Sequence, residues 1–349
     1  MTAAATTTAA AFAAVRQTGP MSSFGHLQLT AVLRGVRGPT LPAEAVDLLA
    51  PVHPAGVTDV RAADLRARAL SAGAPEQAAD ALVDAVGELD ARERAQVTDP
   101  LRPAPGTDVL RLGTAAARQT DGTTCGSSVL AMLAAAGDPT LAYWLVTGRT
   151  LAGYRPPELD STGDAAGPAV RFGDLQEALK GRTNARAVLG LLPWPRALGT
   201  PPWGAARVAR FPGVSYRSVL VDDTRPGEVE GALARAGRAL DRGVPVPLYA
   251  GGDLAMGPAA AIPRHVVLLT GRTSDGFTVY EPSSGRLLPL TTDQVTSPGG
   301  PVPALGGWSH VCWALLPVRP AQTRGGGERV AGPRWMDAVP GARSTREDS

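Results

Sequence analysis

Cys125 stands between Gln119-Thr-Asp-Gly-Thr-Thr and Gly126-Ser-Ser-Val-Leu-Ala-Met-Leu-Ala-Ala-Ala-Gly137. Loop formers crowd residues 120–124 and an Ala/Leu/Met/Val run follows at once. The spacing predicts a helix that starts within a residue or two of Cys125 and ends near Gly137-Asp138-Pro139. Unpaired backbone N–H groups at a helix start favour thiolate over thiol and can hold an oxyanion. Gln119, six residues upstream, can fold back and offer its side-chain amide to the same oxyanion, a kind of donor that weighs heavily in acyl transfer. The stretch contains no base.

A base candidate lies far downstream, in Arg264-His265-Val-Val-Leu-Leu-Thr-Gly271, followed by Phe277-Thr-Val-Tyr280-Glu281-Pro282. Both segments read as strands, and the Asp275-Gly276 turn pair between them predicts a hairpin. His265 then opens the first strand and Glu281 closes the second, so an antiparallel hairpin returns them to neighbouring positions. A thiol, an imidazole and a carboxylate that orients the imidazole are the parts of nucleophilic catalysis by an activated cysteine.

Gln119-x5-Cys125-Gly126 at a helix start, His265-Val-Val-Leu-x-x-Gly271 and Val279-Tyr280-Glu281-Pro282-x-x-Gly285 together resemble the papain-like cysteine peptidases of the bacteriocin-leader-processing, double-glycine group. The resemblance rests on three short islands between residues 110 and 317. It implies a papain-like α+β fold in which Cys125 is the nucleophile, His265 the base, Gln119 an oxyanion donor and Glu281 the orienting carboxylate, acting on a peptide or protein substrate without a cofactor. The family usually has Asp-Pro where this chain has Glu-Pro. The extra methylene moves the carboxylate by about one C–C bond, so its reach separates a full peptidase from a non-catalytic relative.

Composition narrows the classes. In 349 residues, 34 Lys+Arg nearly cancel 32 Asp+Glu, and the Arg residues are scattered, which argues against a nucleic-acid partner. Two cysteines and four histidines without close spacing give neither a disulfide framework nor a zinc site, so no metal is expected and a reduced, cytoplasmic setting fits. Residues 1–16 lack the basic start and apolar middle of a signal peptide. No stretch approaches the ~18–20 apolar residues needed to span a bilayer, so the exporter-fused version of the resembled family is not expected. Gly251-Gly252 and Gly325–Gly327 lack the strand–turn–helix setting of a phosphate loop. Oligomeric state is not legible.

The elements that must position these residues follow from periodicity. Residues 1–25 read as a disordered leader. Residues 26–98 read as a helical module, with short helices at Leu27–Leu33 and Pro42–Leu49, a helix over Thr58–Ala72 and one over Pro75–Gln96, whose Ala79, Leu82, Val83, Val86 and Leu89 make an apolar stripe. Residues 99–108, with Pro100, Pro103 and Pro105, read as a linker. Within 109–319, helices are expected at Leu141–Val146, Arg171–Leu179 and Arg225–Arg242. A long loop pinned by Trp194 and Trp203 fills 191–214. Val244–Tyr249 reads as a strand that its prolines push to a sheet edge, and strands follow at Arg286–Leu290 and Trp308–Leu316, with one helical turn at Thr292–Val295. Residues 320–349 read as a disordered tail. Helices first and antiparallel strands after make an α+β domain with its cleft where the two halves meet.

Each candidate has a simpler reading. A cysteine among small residues is commonly a packing residue, and Cys312, in a Trp-Ala-Leu-Leu strand, is taken as core. His310 has no carboxylate following it; His26 and His53 sit in loop-like contexts. Besides hydrolysis, the Cys–His apparatus could serve an acyltransferase, or the cleft could bind a peptide without cutting it.

Overall fold

A computed structural model gives the structure, described over residues 62–162, 167–187, 191–222, 225–251 and 263–320. The expected leader, the helices before residue 58, His26, His53 and the tail beyond Pro320 lie outside these residues.

The first three helices are α1 (Ala62–Ser71), α2 (Glu76–Gly87) and α3 (Ala91–Thr98). The single helix expected over 75–96 is two, because Asp90 turns the chain and accepts from Glu93 N at 2.8 Å as the N-cap of α3. All three pack on α5 (Pro139–Thr147), and Leu65, Leu82 and Val97 join the same continuous core as Leu133, Leu145, Val267 and Leu315. The helices expected as a separate module thus share one hydrophobic interior with the later helices and the sheet. After residues 99–108 comes a two-stranded hairpin, β1 (Arg111–Leu112) and β2 (Ala115–Ala116), that periodicity did not reveal.

Next comes α4 (Cys125–Gly137), which starts at the expected residue. It is buried nearly all round, which suits a helix apolar on every face; each of Leu130 and Leu133 contributes about 1.5–3 kcal/mol by leaving water. Asp138 ends α4 and caps α5, accepting from Thr140 N at 2.9 Å. Helix α6 (Pro168–Asn184) exceeds the expected nine residues at both ends. The expected loop over 191–214 contains α7 (Pro202–Val208), held by Trp203 meeting Trp194 edge-on with ring centroids 5.4 Å apart.

The remaining elements are β3 (Ser215–Leu220), α8 (Pro226–Leu240), β4 (Val246–Gly251), β5 (His265–Arg272), β6 (Gly276–Glu281), β7 (Arg286–Thr291), α9 (Thr292–Thr296) and β8 (His310–Val318). The strands form one antiparallel sheet in the order β3-β8-β4-β5-β6-β7. The protein is therefore of the α+β class. Strand β4 is interior, against the expectation of an edge. Its pairing with β8 begins only at Leu248, so the nitrogen of Pro247 falls past the end of that ladder and no bond is lost there. Helices α4 and α8 both pack on β5, which brings the Cys125 helix to the His265 strand. No single helix among the described residues is long and apolar enough to cross a membrane; α4 and α5 are apolar but meet at 115° and are buried.

Candidate active site

Cys125 is the first residue of α4 and is 4% exposed. Its helix start carries no side-chain cap. The hydroxyl of Thr124, the residue that would supply one, is turned back to accept from Thr120 N at 3.0 Å and Asp121 N at 3.1 Å. The first-turn N–H groups are thus left facing the thiol end of the helix, where their partial positive charge favours an anion.

The loop before Cys125 is fixed from two directions. From α6, Gln176 donates to Arg118 O and accepts from Thr120 N, both at 3.0 Å, gripping the peptide groups on either side of Gln119. Lys180, from the same helix, donates to Thr123 Oγ1. From the sheet, Gln119 N donates to Pro282 O at 2.8 Å, Arg118 Nε to Ser283 O at 2.9 Å, and Tyr280 OH to Ala117 O at 2.8 Å. Gly285, at φ +70°, closes this junction: a Cβ there would stand 2.7 Å from Arg118 Cγ and 2.9 Å from Ala117 O. The Cys125 loop and the Glu281 turn are therefore knitted together.

His265 opens β5 and pairs with Ala250 of β4. The last cross-strand pair of β5 with β6 is Leu268↔Tyr280, so Glu281 stands just beyond the ladder and its side chain reaches onward to His265. His265 Nε2 and Glu281 Oε1 are 2.8 Å apart. The longer Glu side chain spans the gap. Both Glu281 oxygens are anchored, Oε1 by Ser283 N and Oε2 by Ser284 N, each at 2.8 Å. With Nε2 on the carboxylate, Nδ1 is the ring nitrogen left over, and the Cys125 thiol is among the groups that raise the imidazole.

Burial, the largest influence on each group, opposes charge on both. For His265, the Cys125 and Glu281 hydrogen bonds outweigh it and raise the imidazolium to about 9. For Glu281, donation from His265 and from the Ser284 and Ser283 peptides holds the carboxyl down at about 2. A positive imidazole between two acceptors is what a thiolate needs beside it.

Gln119 stands on the loop before Cys125, its backbone tied to the Glu281 turn through Pro282 O. Its amide nitrogen donates to Asp121 O at 2.8 Å, and its Oε1 is buried without a hydrogen-bond partner. Cys312 is 1% exposed in β8, its thiol donating to Tyr249 O at 3.4 Å. His310 lies at the same end of the sheet as His265 but across β4, opposite Gly251. Among the described residues no group of three or more His, Cys, Asp or Glu could hold a metal ion.

Sequence reasoning missed the Gln176 clamp, although it left a trace. Phe172, Leu175 and Leu179 define the buried face of α6, and Gln176 falls on that face, fully buried. A polar residue on an apolar stripe needs partners, and here they are the backbone on both sides of Gln119. Comparisons of the chain with protein-family models, curated proteins and solved structures found no match.

Proposed function

We propose that the protein is a papain-like cysteine peptidase or amide hydrolase, with Cys125 as nucleophile, His265 as base, Glu281 as the carboxylate that orients it and Gln119 as oxyanion donor. One observation carries the reading: a buried imidazole bonds a buried carboxylate at 2.8 Å through Nε2, and the thiol that helps raise its pKa stands at an uncapped helix start.

In this scheme Cys125 Sγ adds to the substrate carbonyl carbon and the C=O π electrons move to oxygen. Gln119 and the Cys125 N–H hold that oxyanion. The C–N bond then breaks, and the proton on His265 goes to the departing amine. Water, deprotonated by the neutral imidazole, attacks the thioester and releases the acid and the thiol. The substrate class is a peptide or protein. An amine or thiol replacing that water would make the same groups an acyltransferase. The alternative of a peptide-binding relative without catalysis leaned on Glu281 falling short, and the 2.8 Å bond takes that support away.

The test is labelling of the full chain by iodoacetate, followed by peptide mass spectrometry. Rapid modification at neutral pH is expected at Cys125, with Cys312 untouched. Labelling of Cys125 no faster than a free thiol would overturn the proposal.

A further inference from the structure

The imidazole of His265 is covered by a turn that the proposed chemistry does not use. Between α9 and β8, residues 302–308 fold back on themselves. Val302 N donates to Trp308 O at 3.1 Å, and Leu305 N, Gly306 N and Gly307 N each donate within the turn at 3.0 Å. Val302, Ala304 and Leu305 are buried and anchor it, and its 3-10 segment Pro303–Leu305 packs against β5, β6 and β7.

Gly306 comes next, in the left-handed region at φ +68°. A Cβ there would lie 2.3 Å from His265 Cδ2, 2.6 Å from Nε2 and 2.9 Å from Cγ. Those atoms lie along one side of the ring, and Nε2 is the atom bonded to Glu281. The glycine backbone thus rests directly on the imidazole, with no room for even a methyl group. Backbone conformation alone would also favour glycine at this φ. Gly307 separates the two causes: it has φ +83°, yet a Cβ there would meet nothing within 4 Å.

We propose that Gly306 is a positioning residue for the His265 imidazole, seating the ring so that Nε2 holds Glu281 while the other nitrogen faces Cys125. The proposal rests on the reading of Cys125 and His265 as a catalytic pair. The turn adds no titratable side chain of its own. The groups that set the ring's charge are Cys125 from α4 and Glu281 from β6, with Tyr249 of β4 coupled to Cys125; Arg264, next to His265, is exposed. A methyl at 306 pushes the ring off both partners, so the imidazolium loses its support and water gains access to the Nε2 bond.

The experiment is the rate of Cys125 carboxymethylation by iodoacetate from about pH 5 to about pH 10 in the wild type, Gly306→Ala and Gly307→Ala. The anionic reagent is drawn in by the imidazolium, so the wild-type rate should be high at neutrality and fall as pH rises through about 9. Gly306→Ala should lose about tenfold at neutral pH, with the fall displaced toward about 6.5, the ordinary histidine value. Gly307→Ala carries the same backbone penalty and should stay within about twofold, with its fall unmoved.

A Gly306→Ala profile matching the wild type overturns the proposal, and so does a Gly307→Ala profile that shows the same loss. A wild-type profile with no fall near pH 9, rising as an ordinary thiol does, instead refutes the catalytic pair, and the positioning role goes with it. Should Gly306→Ala not fold, the wild-type protein decides by NMR. The Nε2–H proton should exchange slowly with solvent, and rapid exchange would refute shielding by the turn.

Discussion

Two clusters of buried charge lie in this domain, and they use their groups differently. In the first, Arg210 bonds both oxygens of Glu158, donates to Asp138 Oδ2 at 2.6 Å and donates to Ala72 O at 3.1 Å. Asp138 meanwhile caps α5 with its other oxygen. This cluster ties the end of α1, the α4–α5 corner and the Pro157–Ser161 turn into one piece. In the second, Glu281 is just as thoroughly engaged, by two peptide N–H groups and the imidazole. His265, however, has a second ring nitrogen that the Glu281 bond does not use, and its raised pKa owes something to the Cys125 thiol as well as to Glu281. Fully engaged buried charge specifies a fold; buried charge that leaves one valence directed at a nucleophile is placed for chemistry.

The contrast between the clusters is most exposed to test at the thiol and the imidazole. Cys125→Ala and His265→Ala should each remove about 10⁴-fold or more of any hydrolytic activity, the double variant should lose no more than either single one, and Cys125→Ala, which leaves the His265–Glu281 pair in place, should keep thermal stability near wild type. Losses that multiply in the double variant would show the two groups working independently.

The structural cluster should respond in the opposite sense. Arg210→Ala leaves Asp138 and Glu158 buried without their cation, and removing one partner of such a group costs about 3–5 kcal/mol. Denaturant titration should report that loss, while iodoacetate labelling of Cys125 in the folded fraction stays unchanged. A large fall in labelling at full stability would make Arg210 part of the site.

The difference between the clusters also sorts what could be read from sequence. The start of α4 at Cys125, the β5–β6 hairpin and the meeting of His265 with Glu281 were legible because each depends on local signals: loop formers before an apolar run, and a turn pair between two β-rich segments. The Arg210 cluster was not, since residues 72, 138, 158 and 210 meet only through tertiary packing. Gly306 was hidden for the same reason, a glycine in a Gly-Gly pair giving no sign of which ring it touches. The interior place of β4 was misread because the rule that excludes proline from central strands is about a lost hydrogen bond, and Pro247 stands where no bond to β8 is due. Helix α7 was missed because its Pro, Gly and Trp content masks its period, and the Trp194–Trp203 contact that steadies it is again tertiary.

A smaller effect is expected at the oxyanion side. Gln119→Ala should lower turnover by about 10²–10³-fold, the usual scale for one such donor. Gln176→Ala, which frees the backbone on both sides of Gln119, should reproduce part of that loss without touching substrate. Rescue by Gln176→Glu is not expected, because a carboxylate cannot donate to Arg118 O. Turnover of Gln119→Ala within about threefold of wild type would mean that its amide serves only Asp121 O.

The finest test falls on the carboxylate, where stability and reactivity should change with pH in a defined order. Glu281 is held at about 2 against an ordinary 4.5, so its contribution to stability is fully present above pH 4.5 and is lost as pH falls through about 2. His265 is raised from 6.5 to about 9, so its contribution is fully present below pH 6.5 and is lost as pH rises through about 9. The two windows overlap between pH 4.5 and 6.5, and there the melting temperature of Glu281→Gln should lie furthest below wild type, the gap closing as pH approaches 9. At neutrality the same variant should label with iodoacetate about tenfold more slowly, because an uncharged amide no longer supports the imidazolium. Glu281→Asp keeps the charge but is shorter by one C–C bond, about 1.5 Å. From a starting separation of 2.8 Å that places the oxygen outside hydrogen-bonding range, and this variant should fall between wild type and Glu281→Gln. An Asp variant that labels as fast as wild type would show the turn at Pro282–Gly285 following the shorter side chain inward, and the reach of Glu281 would then not be what fixes the pair.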